Sequence, residues 1–244
     1  MKTLAAIACV MALLLAPSTG RSATPDLPNL VALPPFDVQI GPADQLASAS
    51  DSALRFSFAT ANRGTYPFDV IGIPNGRRSA QARECVQWRS LACTKRQTVG
   101  AFVLDLAHGH FHLTDYARYE LRRMTSAGIP DQSPSALVAA GNKVSFCMED
   151  TARDRRASSV YGVPLYQLCD GVQQGISSGW EDVYDYSLAG QQIELSGVPD
   201  GDYAIVVTVD PDHHFVQTSN EDDQAFTPIQ LAGDGTTVTV LAHA

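Results

Sequence analysis

The chain has 244 residues, with 17 basic and 26 acidic side chains and a formal net charge of −9. This acidic balance argues against a nucleic-acid-binding protein and favours cationic small molecules or basic polypeptides as partners, although it also serves plain solubility. Beyond the amino terminus no segment approaches the ~18 apolar residues of a membrane span, so the mature chain is not expected in a membrane. About 220 residues remain, which fits a single all-β domain.

Residues 1–23 are predicted to be a secretory signal peptide. A short positive start precedes the apolar run "TLAAIACVMALLLA", which is too short to span a bilayer, and the small-residue stretch "PSTGRSA" follows. This layout is typical of a leader that is cleaved on export. Cleavage after Gly20 fits the small-residue rule better than cleavage after Ala23. We therefore expect residues 24–244 to form one secreted or periplasmic domain.

The remaining chain reads as short strands separated by Gly, Pro and Asp turns. After an extended lead-in at 26–35, alternating apolar and polar residues predict strands at "ALRFSFATANRG", along "VGAFVLDLAHGHFHLTDYARYELRR" and at "NKVSFCME". "QQIELSGVPDGDYAIVVTVDP" predicts two strands joined by a turn, and "GTTVTVLA" predicts the last strand. Such a pattern indicates an all-β protein, a β-sandwich. Residues 73–97 and 149–180 resist this interpretation and are predicted to be long loops pinned by disulfides.

Four cysteines lie beyond the leader, at positions 85, 93, 147 and 169. An even number in an exported chain predicts two disulfides, for which three connectivities are open. Pairing of nearest neighbours, Cys85–Cys93 and Cys147–Cys169, is the favoured one. None of the four has the C-x-x-C spacing of a zinc site.

The stretch "AHGHFHLTDY" places His108, His110 and His112 at alternate positions, so in a strand they share one face. Imidazole is the usual protein ligand for copper and zinc. A flat strand would separate the outer two by roughly 13 Å, so a bend at Gly109 is needed to bring them to one ion. The alternative is a polar strand face at the surface that is rich in histidine. The spacing predicts a metal site without naming the metal.

Four blocks in order resemble the lysyl oxidase family from about Leu27 to the end of the chain. "HGHFHLTDYARYEL" resembles the family's copper segment, H-x-H-[YF]-H, and "GNKVSFCMEDT" is similar to its G-H-K-A-S-F-C-L-E-D-T. "QQGISSGWEDVYDYSLAGQQIELSGVPDGDY" is similar to the family's Q-G-[IL]-S-x-G block with the turn that follows. Upstream, "LPNLV" and "LRFSFATANRGTYPFDV" resemble its opening and first core strand.

The resemblance implies that His108, His110 and His112 are copper ligands. It also implies that Lys143 and Tyr184 crosslink into the cofactor lysine tyrosylquinone. Oxidation of a tyrosine ring by copper and dioxygen agrees with this pair, since an uncharged lysine amine can attack the oxidised ring. Burial is expected to lower the pKa of Lys143 for that role.

The implied activity is a secreted copper- and quinone-dependent amine oxidase. Such an enzyme oxidatively deaminates primary amines, either lysine side chains or small amines, to an aldehyde, ammonia and hydrogen peroxide. Asp182, two residues before Tyr184, is the expected catalytic base. Dioxygen and a primary amine or peptidyl-lysine are the implied partners.

Departures from the family pattern lie just before the histidines. Asp105 and Ala107 stand where the family has a histidine and a cysteine. The partner of that lost cysteine is retained as Cys169, and the partner of Cys147 is also missing, with Arg153 near its place. The resemblance therefore supports a Cys147–Cys169 disulfide. The copper and quinone positions themselves are retained.

Some relatives bind calcium near the amino-terminal strand and the carboxyl-terminal loop. Asn29, Asp222 and Asp223 match parts of that site, whereas Gln217 and Ser219 replace expected carboxylates. The oxygen-rich "SNEDDQ" suits calcium. A solvated acidic loop is the alternative.

Two other function classes compete with the oxidase. One is a non-catalytic copper-binding β-sandwich, serving as a metal store or as an extracellular interaction module. The other is a copper oxidase that uses the metal directly, without a quinone. Neither needs Lys143 together with Tyr184, so this pair discriminates among the three.

Overall fold

The computed structural model describes residues 26–44, 52–157 and 161–242, so the predicted signal peptide lies outside the described residues. In these parts the chain forms strands and one short 3-10 turn, Pro134–Ala136. The strands in chain order are β1 Leu30–Ala32, β2 Phe36–Pro42, β3 Ser52–Asn62, β4 Phe68–Pro74, β5 Ser79–Arg89, β6 Ala92–Asp105, β7 His110–Leu113, β8 Ala117–Arg123, β9 Leu137–Ala140, β10 Ala152–Arg153, β11 Gln173–Ile176, β12 Trp180–Tyr184, β13 Gln192–Glu194, β14 Gly201–Val209, β15 Gln224–Ala232 and β16 Thr237–Val240. Among the described residues no helix is long and apolar enough to cross a membrane.

The strands make three antiparallel sheets. The first is built around β3, which pairs with β1, β2, β12 and β13, and β10 extends it beyond β12. The second has the order β11-β4-β5-β6-β7, and the third has the order β16-β15-β14-β8-β9. Every residue of β3 from Ala53 to Asn62 is buried, because other parts of the core pack against both faces of the strand. It is the structural centre of the protein.

Aromatic side chains join the sheets into a sandwich. Phe56 and Phe58 of β3 meet the ring of Tyr119 of β8 edge-on, with ring centroids 5.0 and 5.8 Å apart. Such edge-to-face pairs stabilise by about 0.5–1.5 kcal/mol beyond the area that they bury. The second sheet adds Phe68 and Phe102 to the same core. The predicted all-β sandwich is confirmed.

Several predicted elements are confirmed. β3 covers the first predicted strand, β13 and β14 are the two predicted strands on either side of the Pro-Asp-Gly turn, and β16 is the predicted last strand. The lead-in at 26–35 contains only the three-residue β1. Both favoured disulfides, Cys85–Cys93 and Cys147–Cys169, are present.

The prediction of a loop at 73–97 is wrong. Apart from the end of β4, this stretch is the long hairpin of β5 and β6, and Cys85–Cys93 links its two arms. Ser90 and Leu91 form its turn with φ values of 49° and 67°. Tight hairpin turns of this kind normally carry Asn or Gly, and the sequence here lacks that signal. Residues 149–180, by contrast, hold only β10, β11 and the start of β12, and are otherwise irregular.

The predicted strand at 142–149 is also wrong. The chain there pairs only through an isolated bridge between Leu113 and Phe146. The predicted strand across 99–123 is broken into β6, β7 and β8. A turn at 106–109 makes the first of these breaks, and His108 lies in that turn.

Candidate active site

The three alternate histidines converge because the chain turns back between β6 and β7. Gly109 has a φ of +75°, a left-handed conformation that favours glycine. The turn carries His108 back beside His110 and His112 of β7, and the three ring centroids lie 4.9–5.5 Å apart. The bend predicted at Gly109 is thus present, although the prediction that all three histidines lie on one strand is wrong.

The ring nitrogens suit a metal ion. One nitrogen from each histidine lies within 4.8 Å of the others, and the Nε2 atoms of His110 and His112 are 2.9 Å apart. Both ring nitrogens of His108 are shielded from solvent, and neither has a hydrogen-bond partner among the described residues. Burial lowers the pKa of His110, and lowers that of His112 to about 3. The rings of His110 and His112 are therefore neutral, which is the form that binds copper or zinc.

Lys143 reaches the site from the irregular segment that follows β9. Two backbone hydrogen bonds between Leu113 and Phe146, of 2.7 and 3.1 Å, tie this segment to β7. The Nζ of Lys143 lies 4.9 Å from the ring centroid of Phe146 and 5.5 Å from that of Tyr184, and it donates to the Ala189 carbonyl at 3.4 Å. Burial lowers the pKa of Lys143 from 10.5 to about 8. A useful fraction of the amine is therefore uncharged near neutral pH.

Tyr184 and Asp182 lie on one face of β12, two residues apart. Both are buried, and the Tyr184 hydroxyl contacts the Asp182 carboxyl and the carbonyl oxygen of Cys147. The Tyr184 ring stacks on Phe58 at 6.0 Å and meets Phe146 edge-on at 5.0 Å. Burial raises the pKa of Asp182 and of Tyr184 well above their ordinary values. The ring is thus held rigidly, with its oxygen against a carboxyl group.

Lys143 is electrostatically coupled both to the histidines and to Asp182. The charge of Lys143 contributes to the lowered pKa values of His110 and His112, and the charge of Asp182 opposes the lowering of the Lys143 pKa. The amine therefore lies within electrostatic reach of the imidazoles of His110 and His112 and of the Asp182 carboxyl group. The use of these residues as one oxidase site stays a prediction.

Two further features of the site were given no role in the sequence analysis. Asp105 lies 3.3 Å from the Nδ1 atoms of both His108 and His112. A loop at 185–191 lies against Lys143. The approach is so close that a Cβ atom added at Gly190 would lie 3.1 Å from the lysine side chain. Asp105 could have been found from its position three residues before His108. The loop carries no sequence signal that links it to the lysine.

The residues predicted to bind calcium lie close together, where the segment that leads into β1 meets the loop before β15. The amide nitrogen of Asn29 donates to Asp222 at 2.8 Å, and that of Gln217 donates to Asp223 at 2.7 Å. One carboxylate oxygen of each aspartate is buried with no hydrogen-bond partner among the described residues. Calcium at this place stays a prediction.

Comparison with known proteins identifies the family. The lysyl oxidase family model matches residues 95–241, more than half of the chain. The chain is 34% identical over 107 residues to protein-lysine 6-oxidase of Sus scrofa, which covers 43% of this chain and 37% of that protein. It is 32% identical over 114 residues to lysyl oxidase homolog 3B of Danio rerio, with 46% of this chain and 12% of that protein covered. The match to human lysyl oxidase homolog 1 is 28% over 159 residues, or 65% of this chain and 21% of that protein. These matches span well under half the length of the relatives. Because the family model covers more than half of the chain, the chain belongs to the lysyl oxidase family.

Proposed function

We propose that residues 24–244 form a copper- and quinone-dependent amine oxidase. The observation that carries this proposal is the approach of the Lys143 amine to the Tyr184 ring, and the convergent nitrogens of three imidazoles support it. The names of the relatives support the same class of activity. A metal-binding scaffold alone would need neither the lysine nor the buried tyrosine.

Copper would be held by His108, His110 and His112, and Lys143 and Tyr184 would provide the lysine tyrosylquinone. When bound, copper would oxidise the tyrosine ring to a quinone with the help of dioxygen. The quinone would supply the two-electron oxidation of the amine substrate. The orphaned nitrogens of His108 and the neutral imidazoles support this ligand set.

The roles of the protein groups follow from their surroundings. Lys143, with its pKa near 8, offers an uncharged amine to the oxidised ring, which stacking on Phe58 and contact with Phe146 hold in place. Asp182 is positioned next to the Tyr184 oxygen, and we assign to it the removal of a proton from the carbon of the substrate that bears the amine. Burial that raises its pKa makes the ionised carboxylate a stronger base.

The substrate class is a primary amine, free or within a peptidyl-lysine, and dioxygen is the second substrate. The products would be an aldehyde, ammonia and hydrogen peroxide. An acidic chain favours basic polypeptides and amines, which agrees with this class. The two disulfides and the amino-terminal pattern support a secreted or periplasmic location.

Peroxide release tests the proposal. The full-length exported protein would be loaded with copper in air and then offered a panel of alkylamines, benzylamine and a lysine-containing peptide. We expect peroxide release that phenylhydrazine abolishes with formation of a coloured adduct, and an intact-mass change consistent with a crosslink. The Lys143→Arg variant should bind copper but lose the adduct, the mass change and the activity.

The competing functions give different results in the same experiment. A non-catalytic copper-binding sandwich would take up copper with no mass change and no peroxide. A copper oxidase that acts without a quinone would release peroxide equally well with the Lys143→Arg variant. Either result would overturn the quinone proposal.

A further inference from the structure

Asp105 is fixed at the point where β6 gives way to the turn that carries His108. It lies directly across the β6–β7 ladder from His110, so the two side chains emerge on the same face of the sheet. Its Oδ1 accepts the backbone N–H groups of Ala107 at 2.8 Å and of His108 at 3.1 Å. These two main-chain donors hold the carboxylate in its orientation.

The same carboxylate faces two of the three imidazoles. Its Oδ1 lies 3.3 Å from Nδ1 of His108, and its Oδ2 lies 3.3 Å from Nδ1 of His112. The hydroxyl oxygen of Ser145 also lies 3.4 Å from that His112 nitrogen, as a weaker neutral partner. One carboxylate therefore connects the histidine of the turn with the last histidine of the strand.

The opposite nitrogens face the candidate metal position. Nε2 of His112 lies 2.9 Å from Nε2 of His110. Both ring nitrogens of His108 are buried without a hydrogen-bond partner in the described part of the chain, so its Nδ1 meets the Asp105 carboxylate as a charge contact and leaves Nε2 unoccupied by any protein group. A carboxylate beside Nδ1 favours the tautomer with hydrogen at Nδ1, which leaves the lone pair on Nε2 for a metal.

We propose that Asp105 is a positioning residue, which fixes the tautomer and the ring orientation of His108 and His112 so that their Nε2 atoms bind the copper ion. This inference rests on the proposed function, because it places copper at the three histidines. The family motif that the chain resembles has a histidine at this position. The carboxylate would thus be this chain's own means of orienting its ligands.

The histidine tautomers test the inference in the metal-free protein. Nitrogen-15 NMR of the full chain near pH 8 should show His108 and His112 as Nδ1–H tautomers. The Asp105→Ala variant should show a mixture of tautomers at both residues. Asp202→Asn, at an exposed position of β14, is the matched control and should leave these signals unchanged. Nε2–H tautomers of both histidines in the unmodified protein would overturn the proposal.

Copper affinity provides the second measurement, by competition with a chromophoric chelator. Loss of an outer carboxylate typically weakens metal binding by about 10- to 100-fold. We expect that loss for Asp105→Ala and a smaller one for Asp105→Asn, whose amide oxygen still accepts one N–H. The unfolding temperature of the metal-free Asp105→Asn protein should stay close to that of the unmodified protein. A merely structural role would instead lower that temperature and leave the affinity of the folded fraction unchanged.

The two measurements separate this inference from the proposed function. If the unmodified protein binds no copper at the histidines, the oxidase proposal fails, and the tautomers still show whether Asp105 orients the rings. If copper binds equally tightly to the unmodified, Asp105→Asn and Asp105→Ala proteins, only the role of Asp105 fails. Should Asp105→Ala not fold, the near-isosteric Asp105→Asn variant decides the question.

Discussion

The Nζ of Lys143 lies 5.5 Å from the centroid of the Tyr184 ring, although the two residues come from elements with no direct pairing. Tyr184 is fixed in β12 opposite Phe58 of β3, whereas Lys143 belongs to an irregular segment tied to β7. At this distance, a small movement of the flexible Lys143 side chain would bring its Nζ into contact with a carbon of the Tyr184 ring.

Gly190→Ala should slow formation of the crosslink. The added Cβ would lie 3.1 Å from Cβ and Cδ of Lys143, so the lysine must move away from its present position. Displacements of this kind at a reacting group cost roughly tenfold or more in rate. The measurement is the rate of the intact-mass change after copper addition.

Gly197→Ala is the control for the backbone effect. Gly190 and Gly197 have similar left-handed φ values, +77° and +75°, but the new Cβ at Gly197 would meet nothing within 4 Å. Both substitutions should lower the free energy of unfolding by about 1–2 kcal/mol. Equal crosslinking rates in the two variants would contradict a role for the loop at 185–191 in holding Lys143.

Crosslink formation should depend on pH through Lys143. With a pKa near 8, the uncharged amine increases about tenfold per pH unit below that value and levels off above it. We expect the rate of maturation, measured at saturating copper, to follow the same curve with its midpoint near pH 8. A midpoint near the ordinary value of 10.5 would show that the amine is not desolvated in the reactive state.

The same shift has a defined effect on stability. Between pH 8 and 10.5 the unfolded chain holds a proton on Lys143 that the folded protein has already released. The contribution of Lys143 to the free energy of unfolding therefore increases as the pH rises from 8 to 10.5, and it decreases as the pH falls through the same range. Denaturant unfolding of the unmodified protein and of Lys143→Met across this range measures the difference.

Asp182→Asn should abolish turnover while leaving the cofactor able to form. The amide keeps the shape of the carboxyl group beside Tyr184 but cannot take a proton from the substrate, and loss of a general base typically costs 10²–10⁴-fold, by order of magnitude, in kcat. Glu181→Gln, the adjacent residue with its side chain on the opposite face of β12, is the control and should retain activity. Full peroxide release by Asp182→Asn, or no crosslink mass, would contradict the assigned role.

Removal of the Cys147–Cys169 disulfide should damage both stability and the site. Its separation of 22 residues predicts a loss of about 3.4 kcal/mol, against about 2.5 kcal/mol for Cys85–Cys93 with a separation of 8. The Cys147 carbonyl contacts Tyr184, and the Cys169 carbonyl accepts the N–H of Phe111 between two of the histidines. We expect the paired serine variant at 147 and 169 to bind copper more weakly than the variant at 85 and 93. Equal copper affinity would show that the link acts on stability alone.

The sequence by itself determined the features that depend on local chemistry. Alternating residues predicted β3 and the two strands β13 and β14, because successive side chains of a strand point to opposite faces. The histidine spacing and Gly109 predicted convergent imidazoles for the same local reason, and the favoured cysteine pairs were confirmed. The β5–β6 hairpin was missed because Ser90 and Leu91 adopt turn conformations that their side chains do not favour.

Only the tertiary structure decided which distant groups meet. Lys143 lies against Tyr184 because a single bridge at Phe146 holds its segment to β7 while β12 pairs with β3, and no local pattern encodes that combination. The altered pKa values of Lys143 and Asp182 likewise arise from burial by neighbours remote in sequence. Local periodicity is a property of a few adjacent residues, whereas solvation and contact are set by the packing of all three sheets.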